Sequence, residues 1–190
     1  MRLIMGALLG GLVLFFWGFV SHMLLPVGTM GMKFGAGDDS AVVSAMQQRF
    51  TQGEGAYITP GFDKAQQGDP AAMQAWSEKA TAGPYALVMY HPDGVKSDPT
   101  MMRQLPIEFA TNFFCALLAS ILIAAIGGSY LRRVGMITLL GVFAGVAVLI
   151  PYWNWYYFPF DFVLGGLICH VVGWLLAGLV IAKVVKPANA

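Results

Sequence analysis

Four long apolar stretches, residues 3–25, 105–126, 134–150 and 160–182, dominate the chain, and the polar segments between them differ greatly in length. Each stretch has about the 17–25 residues that carry a helix across a ~30 Å hydrocarbon core. The pattern predicts four membrane-spanning helices with one long insertion after the first. Within that insertion, residues 26–104, the periodicity shortens. Asp38-Asp39-Ser40 ahead of "AVVSAMQQRF" predicts a helix start, with Val42, Val43, Met46 and Phe50 as its apolar stripe. "GAYITPG" (residues 55–61) reads as a short strand ended by Pro-Gly, and Asp69-Pro70 opens a second helix, "AAMQAWSEKA". "GPYALVMYHPDG" (residues 83–94) reads as a second strand running into a Pro-Asp-Gly turn.

The expected fold is therefore an α-helical membrane protein. A four-helix transmembrane bundle carries a small α+β extracytoplasmic module between spans one and two. The domains are span one (1–25), the module (26–104) and spans two to four (105–190). Composition agrees, with 57% hydrophobic and only 11% charged residues, against about 25% charged in soluble chains. The mean hydropathy is +0.66. An N-terminal apolar run can also be a cleaved signal. This one is longer than a usual signal core, contains Trp17 and ends at Ser21–Pro26 with no small-x-small site, so it is expected to stay as an anchor.

Charge sets the expected orientation. Arg2, Arg132, Arg133, Lys183 and Lys186 all flank spans on one side, while the 26–104 side has six Lys/Arg against nine Asp/Glu when Glu108 is counted. The positive-inside rule then places both termini in the cytoplasm of a bacterial inner membrane and residues 26–104 outside. A net charge of +1 gives no reason to expect a nucleic-acid partner. The expected partners are the lipid bilayer and either a membrane protein or a second copy of the chain.

The outer turn between spans three and four is unusual. In "YWNWYYFPFDF" (residues 152–162), eight of eleven residues are aromatic. Rings of this kind suit the headgroup level as an aromatic belt. Pro151 and Pro159 are expected to bracket the turn and stop the helices. A belt alone does not account for Asn154 and Asp161. Glycines and other small residues recur every fourth position at 6 and 10, at 141 and 145, and at 165, 169, 173 and 177. Such faces let helices approach closely, within one chain or between two.

Polar groups inside spans are costly and mark interiors or cavities. Here they gather at one level. His22 ends span one, Glu108 and Asn112 begin span two with Thr111 and Cys115 on the same face, Asp161 begins span four, and His170 lies deeper. At ~1.5 Å per residue all lie within roughly 12 Å of the outer edge, with Asn154 in the loop just above. Three readings account for the cluster of His22, Glu108, Asn112, Asn154, Asp161 and His170. In the first it is structural: Glu108 or Asp161 pairs with a histidine, while Asn112 and Asn154 bond loop backbone. In the second, His22 and His170 ligate a b-type haem, or a metal ion together with the carboxylates. In the third, Glu108, Asp161 and His170 line a path for protons or a small solute, although the inner half of every span is dry. No cofactor is expected under the first reading. His91 is expected as an exposed turn residue and Trp76 as the module's core.

Motifs do not point to an enzyme. C-x-x-C, G-x-x-x-x-G-K-S/T, H-E-x-x-H and G-x-S-x-G are all missing from the sequence, and Cys115 and Cys169 both fall inside spans. At "PYWNWYYFP", preceded by "GPYALVMYHPDG" and followed by "VVGWLLAGLV", the chain resembles a group of bacterial inner-membrane proteins with a similar span–module–three-span layout. That group has no assigned activity, so the resemblance implies topology and setting and supplies no site residues. The expected role is that of an accessory, assembly or ligand-sensing component. A haem- or metal-binding redox protein is the alternative, and a small-solute or proton pathway the second.

Overall fold

A computed structural model describes residues 1–35, 37–95 and 100–186. The chain divides into two compact units, Met1–Lys33 with Asp98–Ala190, and Phe34–Ser97. The first contains helices α1 (Arg2–Phe19), α4 (Gln104–Ile126), α5 (Tyr130–Tyr156) and α6 (Phe160–Val184). With the π-helical turn that extends α1 to Leu24, all four are long and apolar enough to cross a membrane. The second unit runs α2 (Ser40–Arg49), β1 (Gly55–Thr59), α3 (Pro70–Ala82) and β2 (Ala86–Tyr90), the order the sequence predicts.

In the helical unit α1 packs against both α4 and α6, and α5 packs against α6. Glycines set these contacts. A methyl group on Gly11 would lie 2.9 Å from Phe113 Cα, on Gly10 2.5 Å from Ile181 Cδ1, and on Gly141 2.5 Å from Trp174 Cβ. The small-residue faces are thus used within the chain. Lipid tails are as apolar as leucine, so close van der Waals contact of this kind, rather than the hydrophobic effect, holds such helices together.

One end of the unit holds the start of α1, the α4–α5 turn and the end of α6. Its core is Leu14, Ala116, Ala119, Ile123, Ile137, Ala177, Ile181 and Val185. The turn there has Gly127 and Gly128 at positive φ, followed by Ser129 as N-cap of α5, whose Oγ accepts from Arg132 N at 3.3 Å. Arg133 is 7% exposed and donates through Nη1 to Val185 O. Tyr130 Oη donates to Leu179 O at 2.9 Å. The Arg133 bond satisfies the carbonyl of the residue that caps α6, where a cation also complements the helix dipole.

At the opposite end the structure corrects one expectation. α5 does not stop at Pro151. It runs through it to Tyr156, so Asn154 sits in the last helical turn and the true turn is Tyr157–Pro159. Proline removes one donor from a helix but does not forbid it when only a turn and a half follows. Tyr157 ends the helix in the left-handed region at φ 57, and Phe158 N bonds Tyr152 O at 3.2 Å. The rings then pack together, with Tyr152–Phe158 and Phe158–Phe162 centroids 5.1 and 5.0 Å apart.

The second unit is thinly packed. β1 and β2 pair antiparallel, Gly55 opposite Tyr90 through Thr59 opposite Ala86. Phe50 stacks on Tyr57 at 4.2 Å and meets Tyr90 edge-on at 5.3 Å. Asp69 caps α3, its Oδ1 accepting from Ala71 N at 2.9 Å. Asp38 Oδ1 accepts from Ser40 N at 2.9 Å, which holds its carboxyl below the ordinary 3.8. Trp76, expected as the module's core, is only half-buried, and its Nε1 donates to Pro60 O at 2.9 Å. The stripe expected on α2 is not covered, since Val42 is 60% and Val43 40% exposed. No described residue of this unit is fully buried. The reason is size, because a few dozen residues cannot enclose a core.

Candidate functional site

The candidate site is built where α1 gives way to its π-helical turn. Pro26 pushes Leu25 into extended backbone (φ −111, ψ 150), and the helix widens before it, with Leu25 N bonding Val20 O at 2.9 Å. His22 lies in this turn. Its Nδ1 is 3.0 Å from Gly18 O and 3.0 Å from Ser21 Oγ. Ser21 Oγ also donates to Gly18 O at 3.1 Å. In the tautomer that bonds Gly18 O, His22 carries its proton on Nδ1 and leaves Nε2 as an acceptor. The following 3-10 turn, Pro26–Thr29, folds back on the unit. A methyl group on Gly28 would lie 2.5 Å from the His22 ring, on Gly165 2.5 Å from Val27 O, and on Gly31 2.6 Å from Phe162 N. This backfolded segment was not foreseen. Its signal was the spacing of Gly28 and Gly31 after Pro26.

On α4, Glu108, Thr111, Asn112 and Cys115 share a face. Asn112 Nδ2 donates to Glu108 Oε1 at 3.0 Å, and Thr111 Oγ1 donates to Ile107 O at 2.9 Å. On α6, Cys169, His170 and Trp174 face the same space. Trp17 Nε1 donates to Cys169 O at 2.9 Å and ties α1 to α6. The ring of His170 packs near Gly145, where an added methyl group would be 3.5 Å from Cδ2.

Together these residues line one cavity of about 640 Å³ between α1, α4 and α6, with Ala144 of α5 and Gly28 and Met32 of the backfolded segment at its edges. A volume of several hundred Å³ is that of a small-molecule site. Leu14 and Trp174 form its floor and also touch the packed core beneath. Beside it runs an open apolar groove of about 610 Å³, lined by the exposed side chains of Phe16, Phe19, Met23, Met101 and Leu105 with half-buried Phe15, and it shares Gly18, His22 and Glu108 with the first as a common wall. Gly18 is telling. It lies four-residue steps along from Gly6 and Gly10, yet a methyl group on it would meet nothing within 4 Å. It is a glycine that faces open space.

The predicted cluster is therefore divided. His22, Glu108, Asn112 and His170 line the cavity, while Asn154 and Asp161 do not. Glu108 bonds Asn112, its i,i+4 neighbour on the same helix, and among the described residues no bond joins it to a histidine or to Asp161. Asn154 is exposed and makes no side-chain hydrogen bond among the described residues, since the helix carries it past the loop backbone it was expected to hold. Asp161 is exposed in the first turn of α6, where a carboxylate suits the helix dipole. His170 has no hydrogen-bond partner among the described residues. Nor do three or more His, Cys, Asp or Glu side chains converge there as a metal site, so His22 and His170 are not joined by the carboxylates as a ligand set. His91 is exposed as expected but has a partner, with Nδ1 3.2 Å from Glu54 Oε1. No family model, curated protein or solved structure matches this chain.

Proposed function

We propose that the chain is an integral protein of the bacterial inner membrane that senses a small ligand and passes the occupancy on by interaction. Both termini are cytoplasmic and residues 26–104 extracytoplasmic, which the cationic flanks Arg2, Arg132, Lys183 and Lys186 support. The aromatic run at 152–162 then lies at the outer headgroup level as a belt. The observation that carries the reading is the cavity. His22, Glu108, Asn112 and His170, contributed by three helices, meet in one space of ligand size, and His170 is left without a partner there. Unpaired polar groups at membrane depth are costly, and a bound molecule is the simplest relief. The second unit suits the interaction half of the role. Ala56 and Ile58 of β1 stand opposite Met89 and Leu87 of β2 on one sheet face, with Met89 61% exposed.

The test is native mass spectrometry of the full chain, taken from its own membranes in a mild detergent. Wild-type protein should retain a small-molecule adduct that Gly18→Leu loses, since Gly18 lines the cavity and a Cβ there meets nothing within 4 Å, so a larger side chain starts into open space. An adduct equally abundant in both proteins, or wild type with no adduct, would go against the reading.

A further inference from the structure

The geometry points to a lipophilic ammonium, an amine with one protonated nitrogen and an extended apolar tail, as the ligand class of this site. The inference rests on the cavity binding a small molecule and adds which chemistry it selects.

The polar wall is rich in acceptors and poor in free cations. Asn112 occupies Oε1 of Glu108 and leaves Oε2 open. In the tautomer whose Nδ1–H bonds Gly18 O, His22 offers Nε2 as a further acceptor. Thr111 uses its proton on Ile107 O and keeps its lone pairs. Glu108 makes no ion pair with any described Lys or Arg. A carboxylate at membrane depth is stabilised by a cation, and if the protein does not supply one, a ligand can. An N–H⁺ group is complementary on both counts, as donor and as charge. Trp17 and Trp174 line the same cavity, and indole faces attract an ammonium within about 6 Å.

The tail has a place of its own. The open apolar groove of Phe15, Phe16, Phe19, Met23 and Leu105 begins at the same Glu108 and His22 wall. A head at Glu108 therefore leaves a chain free to run along aromatic and methionine side chains, with no polar group to desolvate. An anionic head would meet Glu108 directly. A neutral alcohol would satisfy the acceptors but leave the charge unbalanced.

The experiment uses the full chain in phosphatidylcholine nanodiscs and follows tryptophan fluorescence, with dodecylammonium as probe and dodecanol as its uncharged match. Dodecylammonium should bind saturably. Glu108→Gln, which keeps the bond from Asn112, should weaken it by about tenfold or more and leave dodecanol unchanged. Gly18→Leu should abolish saturable binding of both. If dodecanol binds as tightly as dodecylammonium, or Glu108→Gln has no effect on the amine, the ammonium assignment is overturned while the cavity stands, provided Gly18→Leu still blocks. If Gly18→Leu blocks neither probe, the cavity is not the binding site and both readings fall. If neither probe binds saturably, the ligand class is wrong.

Discussion

One substitution made twice on the same helix should give opposite results. Gly11 and Gly18 both lie on α1, but their surroundings differ. Replacing either with alanine relieves the helix of a glycine, worth up to about 1 kcal/mol. At Gly18 nothing lies within 4 Å of the added methyl group, so that gain stands alone. At Gly11 the methyl group would sit 2.9 Å from Phe113 Cα and 3.0 Å from Phe113 N. These are backbone atoms, which cannot swing aside, so α1 and α4 must part. Overpacking of this kind costs about 1–3 kcal/mol, and parting the helices also loosens neighbours such as Gly10 against Ala116. Gly11→Ala is therefore expected to destabilise by about 1–2 kcal/mol after the propensity gain, and Gly18→Ala to be neutral or stabilising by up to about 1 kcal/mol. Reversible unfolding in mixed micelles, followed by tryptophan fluorescence, measures both. Equal shifts of the same sign would refute the packing argument, because propensity alone treats the two sites alike.

Other outcomes follow from single contacts. Trp17→Phe removes the bond to Cys169 O and should cost about 1 kcal/mol in the same assay, the usual net value of such a bond; no change would mean that it does not hold α1 to α6. Asn154→Ala should leave stability within about 0.5 kcal/mol, as for an exposed residue without partners, and a loss of 1 kcal/mol or more would restore its role in tying the turn. In nuclear magnetic resonance titrations Asp38 should titrate below 3.8, because the backbone N–H of Ser40 favours its charged form. Its contribution is thus present above the ordinary value and fades as pH falls through the lowered one; Ser40→Pro, which lacks that N–H, should bring it back toward 3.8. Cysteines introduced for Ser40 and Lys186 should be labelled by an impermeant reagent from opposite sides of the membrane, Ser40 from outside, and labelling of both from one side would contradict the topology.

Much of the helical unit was legible in the sequence because lipid demands long apolar runs, and the four stretches match α1, α4, α5 and α6 closely. Span three was read too short at both ends. Tyr130 and Arg133 bond carbonyls of α6, contacts that no local pattern announces. Pro151 looked like a stop, yet a proline ends a helix only if nothing else pays for the lost bond, and the packed rings of Tyr152, Phe158 and Phe162 hold the chain beyond it. For the site, depth along each span was enough to bring His22, Glu108, Asn112 and His170 to one level. Facing direction was not legible for Asp161, nor the continuation of α5 past Pro151 for Asn154, and neither residue lines the cavity. Gly18 carried a hidden signal, since it continues the Gly6–Gly10 ridge past the point where the helices diverge. In the second unit the elements were readable from caps and turns. The exposure of Val42 and Val43 was not, because periodicity shows which residues share a face and not whether anything covers it.

The space between α1, α4 and α6 can be tested directly, because the chain carries its own probes of it. Cys115 and Cys169 are both free and both line the cavity. In native membranes a small uncharged thiol reagent, followed by mass spectrometry of the intact chain, reports their rate of modification. Both should react in the wild-type protein, and Gly18→Leu should slow both together by about tenfold or more, as a side chain fills the space they share. Equal rates in the two proteins, or two cysteines inert in the wild type, would contradict an accessible space there.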